Sequence, residues 1–306
     1  MSSIRRAGPS VRWAAALLGA ALTLLPAEAT SQDAPPGTDI FLARISGQGA
    51  DLSIGPARNV TNRAGYDNQP FFLPDGSGIL FTAIDEAGQA DVWRYDIAED
   101  RVVRVTDTAP ESEYSPTPLP DGSGFSAVRV EADSTQRLWR FDMDGSSPRV
   151  LLPGVAPVGY HAWADDRTLV LFVLGQPATL QVADVATGVA RVEHRDIGRS
   201  LQRIPGEEAV SFVDRAENGD TWISRWWRRS IEPLVPALDN GDFHAWTPDG
   251  TVLMASGSTI HAWRPDFGAE TWRPIGGVAD QEAIVSRLAV SPDGQWIAIV
   301  GELPGG

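Results

Sequence analysis

Short apolar runs alternate with turn residues along most of the chain, and this pattern repeats. A seven-residue segment ending in Pro-Asp-Gly occurs at residues 70–76, 116–122, 244–250 and 288–294, and a degraded copy lies at residues 161–166. From Asp75 onward the turn aspartates follow at intervals of 46, 45, 83 and 44 residues, and 83 is two periods with one marker lost near residues 205–206. The spacing therefore predicts six repeats of about 44 residues.

Each repeat has the same internal order of elements. After the turn comes an apolar run such as residues 79–81, then an alternating strand such as residues 91–96, and a last short strand ending near Thr106. Four short strands with no helical period predict a propeller blade. In the turn, proline presets φ, aspartate accepts backbone hydrogen bonds and glycine adopts positive φ, so the repeated aspartates are interpreted as structural.

The two ends of the chain complement each other. The sixth repeat contains only its first two strands, at residues 286–301, while residues 39–43 and 58–61 match the third and fourth strands of other repeats. N-terminal strands that complete the C-terminal blade would close the ring and cover its sheet edges. The predicted fold class is therefore all-β, a six-bladed β-propeller of four-stranded blades over residues 37–302, followed by a tail at residues 303–306.

The N-terminal region has the pattern of a secretory signal peptide. Arg5, Arg6 and Arg12 precede an apolar run at residues 14–25, and small residues follow up to Ala29. The run is shorter than the ~20 residues of a membrane-spanning helix. We expect a signal peptide at residues 1–29 and a linker at residues 30–36, with export to the periplasm or the cell exterior and no stable membrane insertion after cleavage. An uncleaved membrane anchor is the alternative.

Composition excludes several classes of function. The chain has 306 residues with 40 acidic and 25 basic side chains, a net charge of −15 and no cysteine, and all its basic residues apart from histidine are arginine. An acidic chain lacks the basic footprint of a nucleic-acid-binding protein. The absence of cysteine excludes disulfides, thiolate zinc sites and a cysteine nucleophile, and the absence of lysine excludes Schiff-base chemistry.

The repeat resembles a known family. Its Pro-Asp-Gly turn, followed by the Asp-hydrophobic-Trp pattern of residues 91–96, resembles the WD40-like propeller repeats of the TolB type over residues 37–302. Residues 66–70 and 111–116 are similar to those of exported bacterial TolB-like proteins. The resemblance implies a propeller in the cell envelope. We expect an envelope protein or peptide, or a small ligand, as the partner, and we expect the chain to be a monomer.

Candidate functional residues lie where the loops between blades end. In a propeller these loops meet on one face, around the mouth of the central channel, where variable polar and aromatic side chains can form a binding site. The predicted binding residues are Asp67, Glu113, Tyr160, His161, Arg199, Asp242 and His244. The competing interpretation is that these side chains satisfy one another and water in a polar channel.

Two histidines are considered separately, because His161 and His244 both begin a His-Ala-Trp segment at the same repeat position. With neighbouring carboxylates they could bind a divalent cation, which makes a metal-dependent lyase or hydrolase the alternative function. The other interpretation is a hydrogen-bonded channel lining. We assign no catalytic residue and no cofactor, and we expect a non-catalytic binding module. Residues 226–229, Trp-Trp-Arg-Arg, are either an exposed docking patch or part of the packing between blades.

Overall fold

The computed structural model describes residues 36–303, except for residues 217, 240 and 268–270. The predicted signal peptide, residues 30–35 of the predicted linker and residues 304–306 of the predicted tail lie outside this part. The described residues form β-strands and short 3-10 helices, the latter at Gly49–Asp51, Pro265–Phe267 and Ala279–Gln281. None of these helices has the length and apolar character needed to cross a membrane.

The strands follow the predicted repeats. The N-terminal strands are β1 (Thr38–Ser46), β2 (Ser53–Ile54) and β3 (Arg58–Asn59). Blade 1 comprises β4 (Tyr66–Phe72), β5 (Gly78–Ile84), β6 (Ala90–Asp96) and β7 (Arg101–Arg104). Blade 2 comprises β8 (Ser112–Pro118), β9 (Gly124–Val130), β10 (Gln136–Asp142) and β11 (Arg149–Val150). Blade 3 comprises β12 (Val158–Trp163), β13 (Thr168–Val173), β14 (Thr179–Asp184) and β15 (Val189–Arg195).

The remaining strands complete the ring. Blade 4 comprises β16 (Ile197–Arg203), β17 (Val210–Arg215), β18 (Thr221–Trp227) and β19 (Ser230–Pro236). Blade 5 comprises β20 (His244–Trp246), β21 (Val252–Ser256), β22 (Thr259–Trp263) and β23 (Arg273–Gly277). The C-terminal strands are β24 (Ile284–Val290) and β25 (Trp296–Glu302), and they begin blade 6.

Blade 6 is assembled from both ends of the propeller. β24 pairs with β25, β25 pairs antiparallel with β1 from Thr38 opposite Glu302 to Arg44 opposite Trp296, and β1 pairs with β3. This arrangement confirms the predicted closure of a six-bladed ring. Without β1, the edge of β25 would expose a row of unpaired backbone groups.

A pair of hydrogen bonds, called here the clasp, explains why an aspartate and a threonine recur in the repeat. In blade 1 the Thr106 hydroxyl donates to Oδ1 of Asp91 at 3.0 Å and accepts from the backbone N–H of Val92 at 2.8 Å. The corresponding distances in blade 6 are 3.1 Å from Thr61 to Asp39 and 3.0 Å from the N–H of Ile40 to Thr61. In blades 1 and 6 these hydrogen bonds join a residue just after the outer strand to the strand beside it.

The Pro-Asp-Gly turns also have a structural role. Oδ1 of Asp75 accepts hydrogen bonds from the backbone N–H and hydroxyl of Ser77 at 2.9 and 2.7 Å, which holds the pKa of Asp75 below its ordinary value. Gly76 has a φ of 72°, a conformation that costs glycine little. The turn aspartates therefore stabilise hairpins at the end of the blades opposite the loops that enter each innermost strand.

Apolar side chains hold neighbouring blades together. Phe125 and Phe141 of blade 2 stack with centroids 5.1 Å apart, and they pack against Leu80 of blade 1. Phe41 of blade 6 packs with Leu253 of blade 5 in another fully buried cluster. The core therefore lies between the blades, and the first strand of each blade faces the central channel.

Candidate functional site

The first strands of the blades are irregular where they enter the channel. A β-bulge interrupts the pairing of β4 after Asn68, β8 after Tyr114, β12 after Val158, β16 after Ile197 and β24 after Val285. A bulge leaves residues unpaired and changes the direction of their side chains. Five of the six innermost strands therefore direct residues from their bulges toward the channel mouth.

These residues line one cavity, called here the channel cavity. Every blade contributes a side chain, with Gln69, Ser115, Tyr160, Arg199, Phe243 and Arg287 coming from blades 1 to 6 in turn. Phe243 directly precedes β20, and the other five lie in or next to the bulges. The cavity has a volume of about 530 Å³, including space that is open to solvent.

Two cavity residues hold a backbone conformation that non-glycine residues rarely adopt. Gln69 and Ser115 have φ values of 59° and 53°, each directly before the repeated proline. Oε1 of Gln69 accepts hydrogen bonds from the N–H of Ser115 at 2.7 Å and from the hydroxyl of Thr82 at 2.9 Å. A network between blades 1 and 2 thus offsets a backbone cost of about 1–3 kcal/mol per residue.

A hydrogen bond crosses the channel at its mouth. Nη2 of Arg287 donates to the Tyr160 hydroxyl at 2.9 Å, and blades 6 and 3, which carry these residues, are opposite each other in the ring. The Arg287 Cζ atom also lies 3.8 Å from the centroid of the Phe243 ring and 4.9 Å from that of Tyr160. The two rings meet edge to face at 6.5 Å. The Arg287 guanidinium is therefore held in one position.

Tyr66 lies close to Arg287, Tyr160 and Arg199. Burial raises the pKa of its hydroxyl to about 12, while the nearby Arg287 and Arg199 guanidiniums oppose that rise. Its phenol therefore stays protonated and can donate a hydrogen bond at neutral pH. We call Tyr66, Tyr160, Arg199, Phe243 and Arg287 the mouth cluster.

Two of the predicted binding carboxylates form internal ion pairs. Asp67 is fully buried and accepts Nε and Nη2 of Arg63 at 2.8 and 2.6 Å, and burial raises its pKa to about 6. Glu113 is also fully buried, accepts the Thr108 hydroxyl and lies 3.2 Å from Nε of Arg129. Burial raises the pKa of Glu113 as well. Both carboxylates are therefore held in buried ion pairs, and Oδ2 of Asp67 has no hydrogen-bond partner among the described residues.

The two histidines form matching contacts between blades. Nε2 of His161 lies 2.7 Å from the hydroxyl of Ser126 in blade 2, and the indole N–H of Trp163 donates to the same hydroxyl at 3.0 Å. Nε2 of His244 lies 2.7 Å from the hydroxyl of Ser211 in blade 4. Burial lowers the pKa of both histidines to about 3, so both imidazoles are neutral.

This geometry gives the predicted cation little support. The Nε2 atoms of both imidazoles already bond to serine hydroxyls, and their Nδ1 atoms are buried without a partner in the residues that the structure describes. Asp67 and Glu113 are in ion pairs with arginines. Across the described part of the chain, no group of three or more histidine, aspartate or glutamate side chains is placed to hold a metal ion. A divalent cation at the channel mouth stays an untested expectation, whereas hydrogen bonding accounts for the His-Ala-Trp segments.

The structure brings together only some of the predicted site residues. Tyr160, His161 and Arg199 line the channel cavity. Asp242 is exposed, lies 3.5 Å from Arg215 and lines an adjoining cavity next to Arg287. His244, Asp67 and Glu113 do not line the channel cavity. Phe243 and Arg287 were not among the predicted residues, although they occupy the same loop ends in blades 5 and 6.

Comparison with solved structures shows that the fold is that of TolB-like propeller proteins. A putative TolB from Agrobacterium tumefaciens matches with a TM-score of 0.68 and 16% identity, over 88% of this chain and 99% of that chain. TolB from Acinetobacter baumannii matches with a TM-score of 0.55 and 12% identity, over 87% of this chain and 64% of that chain.

Enzymes share the fold as well. A gluconolactonase from Xanthomonas campestris matches with a TM-score of 0.59 and 11% identity, over 88% of this chain and 99% of that chain. The sequence matches no protein-family model and no curated protein at a significant level. At these identities the similarity establishes the fold, and function has to be argued from the site.

Proposed function

We propose that the chain is an exported, non-catalytic binding module that receives a protein, peptide or small ligand at the mouth of its channel. The observation that carries this proposal is the channel cavity, to which all six blades contribute a side chain. Loop ends on a repeated scaffold can differ from blade to blade without disturbing the packing between blades, so they are suited to specific recognition.

The chemistry of the cavity favours binding over catalysis. The mouth cluster consists of aromatic rings, phenols and guanidiniums, residue types that are common at binding hot spots. The serine nearest His161 is Ser126, which is fully buried, so its hydroxyl cannot reach a substrate in the channel. The same holds for Ser211 beside His244.

One sequence feature supports export to the periplasm or the cell exterior, and a second is compatible with it. Residues 1–29 have a basic start, an apolar run and small residues at the end, which is the pattern of a signal peptide. The absence of cysteine makes the chain independent of the redox state of the compartment.

The test compares what different variants of the chain capture. The purified chain, lacking residues 1–29, is exposed to envelope extract and to the small-molecule fraction of the producing cells, and retained components are identified by mass spectrometry. An Arg199→Ala/Phe243→Ala variant should lose the captured set. A Trp227→Ala variant on the rim of blade 4, matched for thermal stability, should keep it. The proposal is contradicted if Trp227→Ala loses the captured set while Arg199→Ala/Phe243→Ala keeps it, or if the unaltered chain retains nothing.

A further inference from the structure

The channel mouth concentrates positive charge in a strongly acidic chain. Arg199 and Arg287 both line the channel cavity. Among the described residues, neither guanidinium has a carboxylate within 4.0 Å, although the whole chain has a net charge of −15. An uncompensated pair of guanidiniums at the entrance to a cavity attracts anions.

The three carboxylates predicted for the site each pair with an arginine outside the mouth cluster. The pairs are Asp67 with Arg63, Glu113 with Arg129, and Asp242 with Arg215. Asp67 and Glu113 are fully buried, so they cannot swing out to pair with the mouth arginines. The positive charge of the mouth cluster is therefore available to a ligand.

Arg287 is held ready to bind a ligand. Contacts with the Phe243 ring at 3.8 Å and with the Tyr160 hydroxyl at 2.9 Å fix the Arg287 guanidinium before any ligand arrives. Fixing a donor in advance removes part of the entropic cost of binding. Arg199, by contrast, is exposed and can adjust to the ligand.

The hydrogen-bonding groups of the mouth cluster are mostly donors. The Tyr160 oxygen accepts its hydrogen bond from Arg287, so the proton of its own hydroxyl remains free to be donated. The Tyr66 hydroxyl stays protonated because burial raises its pKa to about 12. Two guanidiniums and the Tyr160 phenol thus line the cavity and require a ligand that supplies the acceptors.

Aromatic surface lies beside these donors. Phe243 and Phe71 line the same cavity, and Phe71 is 39% exposed. We infer that the mouth cluster binds the carboxylate of an organic acid between Arg199 and Arg287, with the body of the ligand against these rings. Guanidinium forks match a planar carboxylate through paired hydrogen bonds. The inference rests on the proposed binding function and specifies the class of ligand.

The carboxylate can belong to a small acid or to the C-terminus of a peptide, and the probes separate these sources. Calorimetric titrations use glucuronate and benzoate as small acids, and N-acetyl-Ala-Phe with a free C-terminus as the peptide. The corresponding neutral compounds, methyl glucoside, benzamide and the peptide amide, serve as matched controls. Titrations extend to about 20 mM, and inorganic phosphate is included to test whether any anion suffices.

We expect saturable binding of at least one carboxylate and none of its neutral counterpart. Arg199→Ala should weaken that binding at least about ten-fold, because it removes a charged hydrogen-bond donor. Arg287→Lys, which keeps the charge but loses the fork, should weaken it as well. Arg149→Ala, at an exposed arginine of β11, should leave the affinity unchanged, because β11 is the outermost strand of blade 2 and Arg149 does not line the channel cavity.

Several results would overturn the inference. They are equal binding of acid and amide, equal loss on Arg149→Ala, tighter binding of phosphate than of every carboxylate, and no saturable binding of any probe. If the carboxylates fail while Arg199→Ala/Phe243→Ala still abolishes capture from extracts, the proposed binding site stands and only the ligand class is wrong.

Discussion

Nε2 of His244 lies 2.7 Å from the hydroxyl of Ser211, on the neighbouring blade. The indole N–H of Trp246 donates to the same hydroxyl at 2.8 Å. The identical arrangement of His161 and Trp163 around Ser126 occurs two blades earlier. His-Ala-Trp is therefore a device that joins a blade to the one before it, through a single buried serine.

The serine at the centre of this contact should be important for stability. Ser211→Ala leaves the imidazole of His244 and the indole N–H of Trp246 without a partner in a buried site, which should cost about 1–3 kcal/mol. Urea unfolding followed by tryptophan fluorescence measures the loss. Ser230→Ala, at the exposed start of β19, is the control and should cost less than half as much. Equal costs for the two variants would contradict a structural role for the contact.

The same histidines should make the fold sensitive to acid. Burial holds the pKa of both at about 3, against an ordinary value of 6.5, so below about pH 6.5 only the unfolded chain takes up these protons. Their contribution to stability is complete above pH 6.5 and falls as the pH drops toward 3, by about 1.4 kcal/mol per pH unit for each imidazole.

Asp67 should act in the opposite direction. Its pKa is raised from 3.8 to about 6, so the folded chain takes up that proton first and gains stability as the pH falls through this range. Replacing both histidines removes their loss and leaves the gain from Asp67, so the unfolding free energy should fall less between about pH 7 and pH 4 in His161→Gln/His244→Gln than in the unaltered chain. If the two slopes are the same, the imidazoles are not held neutral by the fold.

The sequence predicts the ring and its closure because one local interaction recurs. Asp39 and Thr61 match Asp91 and Thr106 in the sequence, and both pairs form the same hydrogen bond within a blade. The partners in each pair are at most 22 residues apart, so the repeat retains both of them. Local contacts of this kind leave a periodic trace from which a fold can be predicted.

The site could be predicted only in part, because its key contacts join distant blades. The positions of Tyr160 and Arg199 at loop ends predict them, but the bond from Arg287 to Tyr160 joins residues 127 positions apart. Among the residues that the structure describes, this bond has no counterpart in other repeats. The sequence also does not indicate that Asp67 and Glu113 are buried, because both occupy loop ends, where polar side chains are usually exposed. No spacing indicates which way a side chain points from a bulged strand.

Two adjacent tryptophans should differ sharply in their importance for stability. Trp226 is 6% exposed and packs against Val210 and Phe212, whereas Trp227 is 37% exposed, with the Arg228 guanidinium 5.0 Å from its ring. Trp226→Ala should cost about 3–5 kcal/mol and Trp227→Ala less than about 1 kcal/mol. Urea unfolding of both variants provides the comparison, and similar costs would show that the exposed ring is also a packing residue.

The join between the two ends of the propeller should be sensitive to a single added methyl group. A Cβ on Gly301 would lie 2.8 Å from Cε2 of Phe41 and 2.9 Å from Cβ of Ala283, so Gly301→Ala should cost about 1–3 kcal/mol through overpacking. Phe41→Leu alone also destabilises, because Phe41 is fully buried, but it opens space beside Gly301. The double variant should therefore be more stable than the sum of the single effects predicts, by about 0.5 kcal/mol or more in urea unfolding.

Gly154→Ala, where an added Cβ has no neighbour within 4 Å, is the matched control and should change stability little. Strict additivity of the two substitutions would mean that β1 and β25 do not pack as closely as this pairing requires.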